Sequence, residues 1–248
     1  MTHPLRYLLL AALMLAPVTG PAADIRVAVA SNFRPAMVAL VQRFEEQTQH
    51  KVILISGSTG KQYTQIRHGA PFDAFFAADS ERPAGLEQQG IAVPGSRFTY
   101  AIGKLVLWSP EPGYIDSQGV VLEQNDFEHL AIANPDLAPY GLAAQQVLQT
   151  RGLWELLQTR LVRGEDIGQA FQFVASGNAR LGFVAYAQVK MPGKFPDGSW
   201  WDIPQALYDP IEQQAVLLLD TGPGRAFLQF IQSAEALKII EDSGYSRP

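Results

Sequence analysis

Five apolar runs in this chain end in the same kind of chemistry. "VAVASN" closes on Ser31 and Asn32, "VILISGST" on Ser56 to Thr59, "FFAAD" on Ala77 to Asp79, "AIANPDLAPYG" on Asn134 to Gly141, and "LVRGEDIG" on Gly164 to Gly168. Hydroxyls, a carboxamide and backbone N–H groups collect at these ends, while the Lys and Arg positions mostly fall elsewhere. A set of neutral donors suits a fully ionised oxyanion, because such an anion offers only acceptors. Taken alone, each end reads as a helix cap or a turn. Five of them in one chain point to a site.

The stretch Ser56 to Lys61, "SGSTGK", looks at first like a nucleotide phosphate loop. That loop needs Gly, four spacers, then Gly-Lys-Ser/Thr. Here Ile55 stands where the first Gly belongs and Gln62 follows Lys61, so the motif fails at both ends. What remains is a strand ending in small hydroxylated residues ahead of a helix, a place that holds anions. Lys61 itself reads as a solvated helix residue.

Other chemistry lacks its parts. His50, His68 and His129 are scattered without the i, i+4 pairing of a metal site, so no residue is expected as a direct metal ligand. No G-x-S-x-G elbow supplies a nucleophile. Asp73 and Asp79 in "FDAFFAAD" read as strand-end caps rather than an acid/base pair. "GSWW", Gly198 to Trp201, reads as covering for the core or the hinge. Cysteine is absent, which rules out thiol catalysis and thiolate metal sites.

Residues 1 to 23, with Arg6 ahead of an apolar core from Leu8 to Leu15 and small residues at Ala22 and Ala23, form a secretory signal peptide. Cleavage after Ala22 or after Ala23 both fit. Without Arg6 the chain keeps 18 basic against 24 acidic residues, a net charge of −6, which leaves no basic footprint for nucleic acid. The mature chain is expected to be exported and soluble.

Strands and helices alternate along the mature part. "IRVAVA" predicts a buried strand, and Met37, Leu40, Val41 and Phe44 fall at i, i+3, i+4 and i+7 on one helix face. "VILIS", "TGKQYTQIRHG", "FDAFFAA" and "DSERPAGLEQQG" continue as strand, helix, strand, helix. After the turn-rich "SPEPGYIDSQG" a second alternation begins, and "AVLLL" with two short helices closes the chain. The expected class is α/β, with largely parallel sheets. The expected organisation is 24–102 and 211–248 in lobe 1, 103–210 in lobe 2, with crossing segments near 100–107 and 207–214. No internal sequence repeat is visible.

The blocks "IRVAVASNFRPAMVALVQRFE", "SGSTGKQYTQIRHGAPFDAFFAAD", "YAIGKLVLW", "NPDLAPYG", "GEDIGQAFQFVASGNARLGFVAY" and "YDPIEQQAVLLL" together resemble the periplasmic molybdate-binding proteins of ABC importers. The resemblance covers almost the whole mature length. It implies a type II periplasmic binding protein fold, two lobes joined by crossing hinge segments that close over a tetrahedral oxyanion. It also implies molybdate or tungstate as ligand, an inner-membrane ABC permease as partner, a monomer, no cofactor and no enzymatic activity. Position by position, it implies hydroxyl and backbone donors at Ser31 and Ser58 and a side-chain donor at Asn32. Backbone N–H groups of Tyr140 and Ile167 are implied from the second lobe, with that of Ala78 as a further candidate. Some members place a Tyr hydroxyl where this chain has Ala185; Tyr186 would point to the other side if the strand persisted. Sulfate or another tetrahedral oxyanion is the alternative ligand. A secreted α/β hydrolase is the alternative class.

Overall fold

The structure is a computed structural model that describes residues 23–190 and 198–248. The signal-peptide expectation for residues 1–22 lies outside the described residues, as does 191–197 of the Pro/Gly-rich stretch.

The chain builds one sheet, crosses to a second, and returns. Strands β1 (Asp24–Ala30), β2 (Lys51–Gly57), β3 (Ala74–Phe76) and β4 (Phe98–Gly103) belong to the first sheet. Strands β5 (Leu105–Ser109), β6 (Leu130–Ala133), β7 (Leu161–Gly164), β8 (Leu181–Ala185) and β9 (Ser199–Asp202) form the second, and β10 (Ile211–Leu217) rejoins the first. The orders are β2-β1-β3-β10-β4 and β7-β6-β8-β5-β9. These are the same topology used twice, with a parallel trio followed by an antiparallel pair.

Each sheet is therefore mixed. β1 runs parallel to β2 and β3, and β6 to β7 and β8, whereas β10 and β5 pair antiparallel with both of their neighbours. Alternating strand and helix in the sequence accounts for the parallel trios, since parallel neighbours need a crossover. The antiparallel pairs come from the strands next to the two crossings. Gly103 still pairs with Ile211, and Leu105 already pairs with Ala185, so the chain changes sheet at Lys104.

Helices cover both faces of each sheet. α1 (Arg34–Gln47), α2 (Thr59–Arg67) and α3 (Glu81–Gln88) pack on the first sheet; α4 (Val121–Gln124), α5 (Pro139–Thr150), α6 (Trp154–Leu157), α7 (Ile167–Ala175) and α8 (Tyr186–Val189) belong to the second. α9 (Gly222–Ile231) and α10 (Ala234–Asp242) return to the first. On α1, Met37, Leu40 and Phe44 are buried and Val41 is half-buried, the face the spacing predicts. β1 sends Val27 and Val29 into one core with Phe33, Phe76 and Phe227, and Ala28 into another with Phe75 and Leu86. A strand buried on both faces must be apolar throughout, which is why "VAVA" shows no alternation. Trp201, on edge strand β9, joins the core of the second lobe under Arg151.

Candidate ligand-binding site

Ser31, Asn32, Ser58, Ala78, Tyr140 and Ile167 all line one cavity between the lobes, with Thr59, Ala138, Pro139 and Asp166 beside them. They arrive from the carboxyl ends of β1, β2, β3, β6 and β7. Open α/β sheets gather loops and helix N-termini at those ends. The cavity has a volume of about 10 Å³. It fits one small group.

The donor set is built from helix starts. α2 begins behind Ser58, α5 at Pro139 and α7 at Ile167. The first N–H groups of a helix have no intrahelical acceptor and carry the positive end of its dipole. Pro139 is tolerated at the first position because it has no N–H to place there, and Tyr140 follows with one. No Lys or Arg is among the lining residues, and the lining carboxylate, Asp166, caps its own helix by accepting from the Gln169 N–H at 3.0 Å.

The lobes already touch around the cavity, and this decides which donors remain. The Ser31 hydroxyl accepts from the Gly168 N–H at 3.2 Å across the lobes, which keeps its own proton available. The Ser58 hydroxyl donates to the Leu137 carbonyl at 2.8 Å, so the backbone N–H is the donor Ser58 has to offer. The Ala78 N–H donates to Thr59 Oγ1 at 3.1 Å. Ala78 thus forms wall rather than supplying the further N–H expected of it.

Asn32 is the centre of a buried network. It is 2% exposed, and its Nδ2 donates to Gln213 Oε1 at 2.8 Å and to the Tyr245 hydroxyl at 3.2 Å. Tyr245 in turn donates to the Asn32 carbonyl at 2.8 Å, Tyr100 donates to Gln213 Oε1 at 3.2 Å, and Gln213 Nε2 donates to the Tyr140 hydroxyl at 3.5 Å. One buried atom is left over, Asn32 Oδ1, which has no partner. A half-turn of both carboxamides exchanges this unpaired acceptor for an unpaired donor and gives up the bond from Asn32 to the Tyr245 hydroxyl. Gln213 Nε2 then serves Asn32 Oδ1 and Tyr100, Gln213 Oε1 accepts from Tyr140, and Asn32 Nδ2 becomes the group with a proton to give. An unpaired buried acceptor costs about 1 to 3 kcal/mol, so a ligand that accepts hydrogen bonds favours the turned arrangement. Burial holds the phenols of Tyr100, Tyr140 and Tyr245 above their ordinary range, which keeps the network protonated.

Sequence reasoning missed Gln213 and Tyr245, which hold Asn32 from 181 and 213 positions away, and Tyr100, which holds Gln213. A signal was present in "IEQQAVLLL", where two glutamines interrupt an apolar strand; Gln213 is 0% exposed. β8 ends at Ala185 and Tyr186 opens α8, its ring lying 5.0 Å from the Lys104 ammonium, so the strand does not persist and Tyr186 is not in the lining. Asp73 Oδ2 accepts from the Arg26 N–H at 2.6 Å, and Asp79 accepts from the Arg82 N–H at 3.1 Å and pairs with the Arg82 guanidinium. Among the described residues no group of three or more His, Asp or Glu is placed to hold a metal ion.

The model of a family described as "Bacterial extracellular solute-binding protein" matches residues 25–246. The chain belongs to this family. Within it, the chain is 52% identical over 227 residues to the "Molybdate-binding protein ModA" of Azotobacter vinelandii, covering 90% of each. It is 48% identical to the protein of the same name from Rhodobacter capsulatus, covering 90% of this chain and 88% of that one. The solved structure titled "Azotobacter vinelandii periplasmic molybdate-binding protein" superposes with a TM-score of 0.88 at 46% identity, covering 90% of this chain and 99% of that one. By their names these relatives are binding proteins. The cavity lies between the two lobes, with Ser31, Asn32 and Ser58 on one and Tyr140 and Ile167 on the other.

Proposed function

We propose that this chain is the extracytoplasmic receptor of a molybdate importer: it captures molybdate, and tungstate with it, through neutral donors between its lobes and delivers the anion to an inner-membrane ABC permease. The observation that carries the reading is the convergence of Ser31, Asn32, Ser58, Tyr140 and Ile167 on one small cavity without a cation. The identity to two molybdate-binding proteins supports the choice of ligand. Ser31 gives its hydroxyl proton, Asn32 its amide in the turned arrangement, and Ser58, Tyr140 and Ile167 their backbone N–H groups. Ala78 packs against the anion.

A donor-only cage discriminates by chemistry. Hydrogen phosphate carries a proton that would meet no acceptor, a buried mismatch of about 1 to 3 kcal/mol. Sulfate is a dianion like molybdate and is rejected on size. No cofactor takes part, the protein works as a periplasmic monomer after removal of its leader, and it catalyses no reaction. Molybdenum is cargo, held through its oxygens.

Thermal melts with each anion test the reading, since a ligand that binds only the folded state raises the midpoint. Molybdate and tungstate should raise it and phosphate should leave it in place. Equal stabilisation by sulfate would replace molybdate with a general tetrahedral-oxyanion specificity. A site without any response to oxyanions would overturn the proposal.

A further inference from the structure

The stretch that failed as a nucleotide loop has a different task. Ser58, Gly60 and Lys61 lie on the first lobe, and each reaches the second. The Ser58 hydroxyl and the Gly60 N–H both donate to the Leu137 carbonyl, at 2.8 Å each, and the Lys61 ammonium stands 3.1 Å from both carboxylate oxygens of Glu165. One carbonyl between α2 and the turn before α5 thus receives two donors from the opposite lobe. The cavity begins one residue away on either side, at Thr59 and at Ala138.

We infer that Gly60 and the Leu137 carbonyl form a catch that sets how far the lobes close, and that Gly60 is therefore a positioning residue for anion capture. The reason for glycine is spatial. A Cβ on Gly60 would lie 2.9 Å from the Leu137 oxygen and 3.1 Å from its Cα, distances that force the backbone to shift. The third neighbour, 3.2 Å away, is the end of the Arg82 side chain, which can swing aside. Both rigid obstacles belong to the other lobe. A methyl at position 60 is therefore harmless in the open protein and obstructive only in the closed one, where it separates the walls that carry Ser58 and Tyr140.

The inference deepens the proposed oxyanion site and rests on it. Wild type, Gly60→Ala and Gly222→Ala are titrated calorimetrically with molybdate and with tungstate, and each is melted without ligand. Gly222, at the start of α9, has nothing within 4 Å of an added Cβ and serves as the control. Gly60→Ala should lose about tenfold or more in affinity for both anions, the scale of overpacking a closed contact. Its ligand-free melting point should hold or rise, because Ala favours a helix over Gly. Gly222→Ala should bind as wild type does. Wild-type affinity in Gly60→Ala overturns the catch and leaves the proposed function standing, and so does a loss matched by an equal fall in ligand-free stability. Absence of binding by the wild type overturns the proposed function and the catch with it.

Discussion

Two hollows in this molecule invite comparison. One lies on the second lobe, about 880 Å³ against about 10 Å³ for the interlobe cavity, and Glu111, Asp126, His129, Arg160 and Arg180 line it. It sits where β6, β7 and β8 begin, the opposite end of the sheet from the cavity. Its charges answer one another. Arg180 holds Glu111 through two hydrogen bonds of 2.9 and 2.8 Å and lies 3.8 Å from the Tyr114 ring, and Arg160 donates to the Phe127 carbonyl. The cavity has the reverse character, with scarcely any room, no Lys or Arg among its lining residues, and helix-start N–H groups that have no acceptor within their own helices. Volume and charge mark the groove; helix starts mark the cavity. For an anion the second property matters, because a desolvated Lys or Arg must first recover its own burial cost, whereas a helix N-terminus arrives with partial charge already in place.

The contrast breaks most sharply at Asn32. Asn32→Asp keeps the volume and replaces a donor with a carboxylate, so molybdate affinity at neutral pH should fall about a hundredfold or more, with partial recovery on acidification. Asn32→Ala should lose about tenfold to a hundredfold, the value of one hydrogen bond to a charged group. Calorimetry on the pair is decisive: near-wild-type binding by the Asp variant would reduce Asn32 to an anchor for Tyr245 and Gln213. Next in size is Ser31→Ala, which removes a hydroxyl donor and the acceptor for the Gly168 N–H together, for a loss of about tenfold.

Smaller effects sharpen the same comparison. Lys61→Gln opens an exposed ion pair, so affinity should fall about threefold at most and the difference should vanish in high salt, where surface pairs are screened. In the groove, Arg180→Ala should leave molybdate affinity unchanged; a loss would mean that the large hollow communicates with the site. Affinity should also stay level from about pH 6 to 9, since hydroxyls and amides do not titrate there. The buried phenols have folded pKa values above their unfolded ones, so the stability they contribute is fully present below about pH 10 and is lost as pH rises toward the raised values. A pH-stat titration of melting midpoint and affinity reads both.

The acidic limb depends on other groups. Glu87, Glu235 and Glu241 are held below the usual carboxylate range by hydrogen bonds to Arg97, Arg43 and Arg247, which adds stability above their unfolded pKa and loses it as pH falls through the folded one. Asp79 runs the other way. Burial raises it, so the stability tied to its protonated form is present below its unfolded pKa and is lost as pH rises through the raised one.

Much of the lining was legible in the chain because it lies in short contiguous blocks. A strand end, one or two small hydroxylated or amide residues and a helix start occupy a handful of positions, and local propensity governs all three. Ser31, Ser58, Tyr140 and Ile167 could be named that way, with the family resemblance deciding which end of each block to choose. The apolar face of α1 and the unbroken apolar run of β1 followed from periodicity alone.

Tertiary structure decided everything that needs two distant stretches at once. That the same sheet topology occurs twice is invisible in the sequence, because repeated topology constrains the pattern of burial and not the identity of side chains. The engagement of Ala78 by Thr59, of Ser58 by Leu137 and of Asn32 by Gln213 depends on distances across 19 to 181 positions, which no local rule reports. Gly60 is the plainest case. In the sequence it belongs to a failed phosphate motif; in the fold it is the place where two lobes meet too closely for a methyl group, and only the closed geometry supplies the reason.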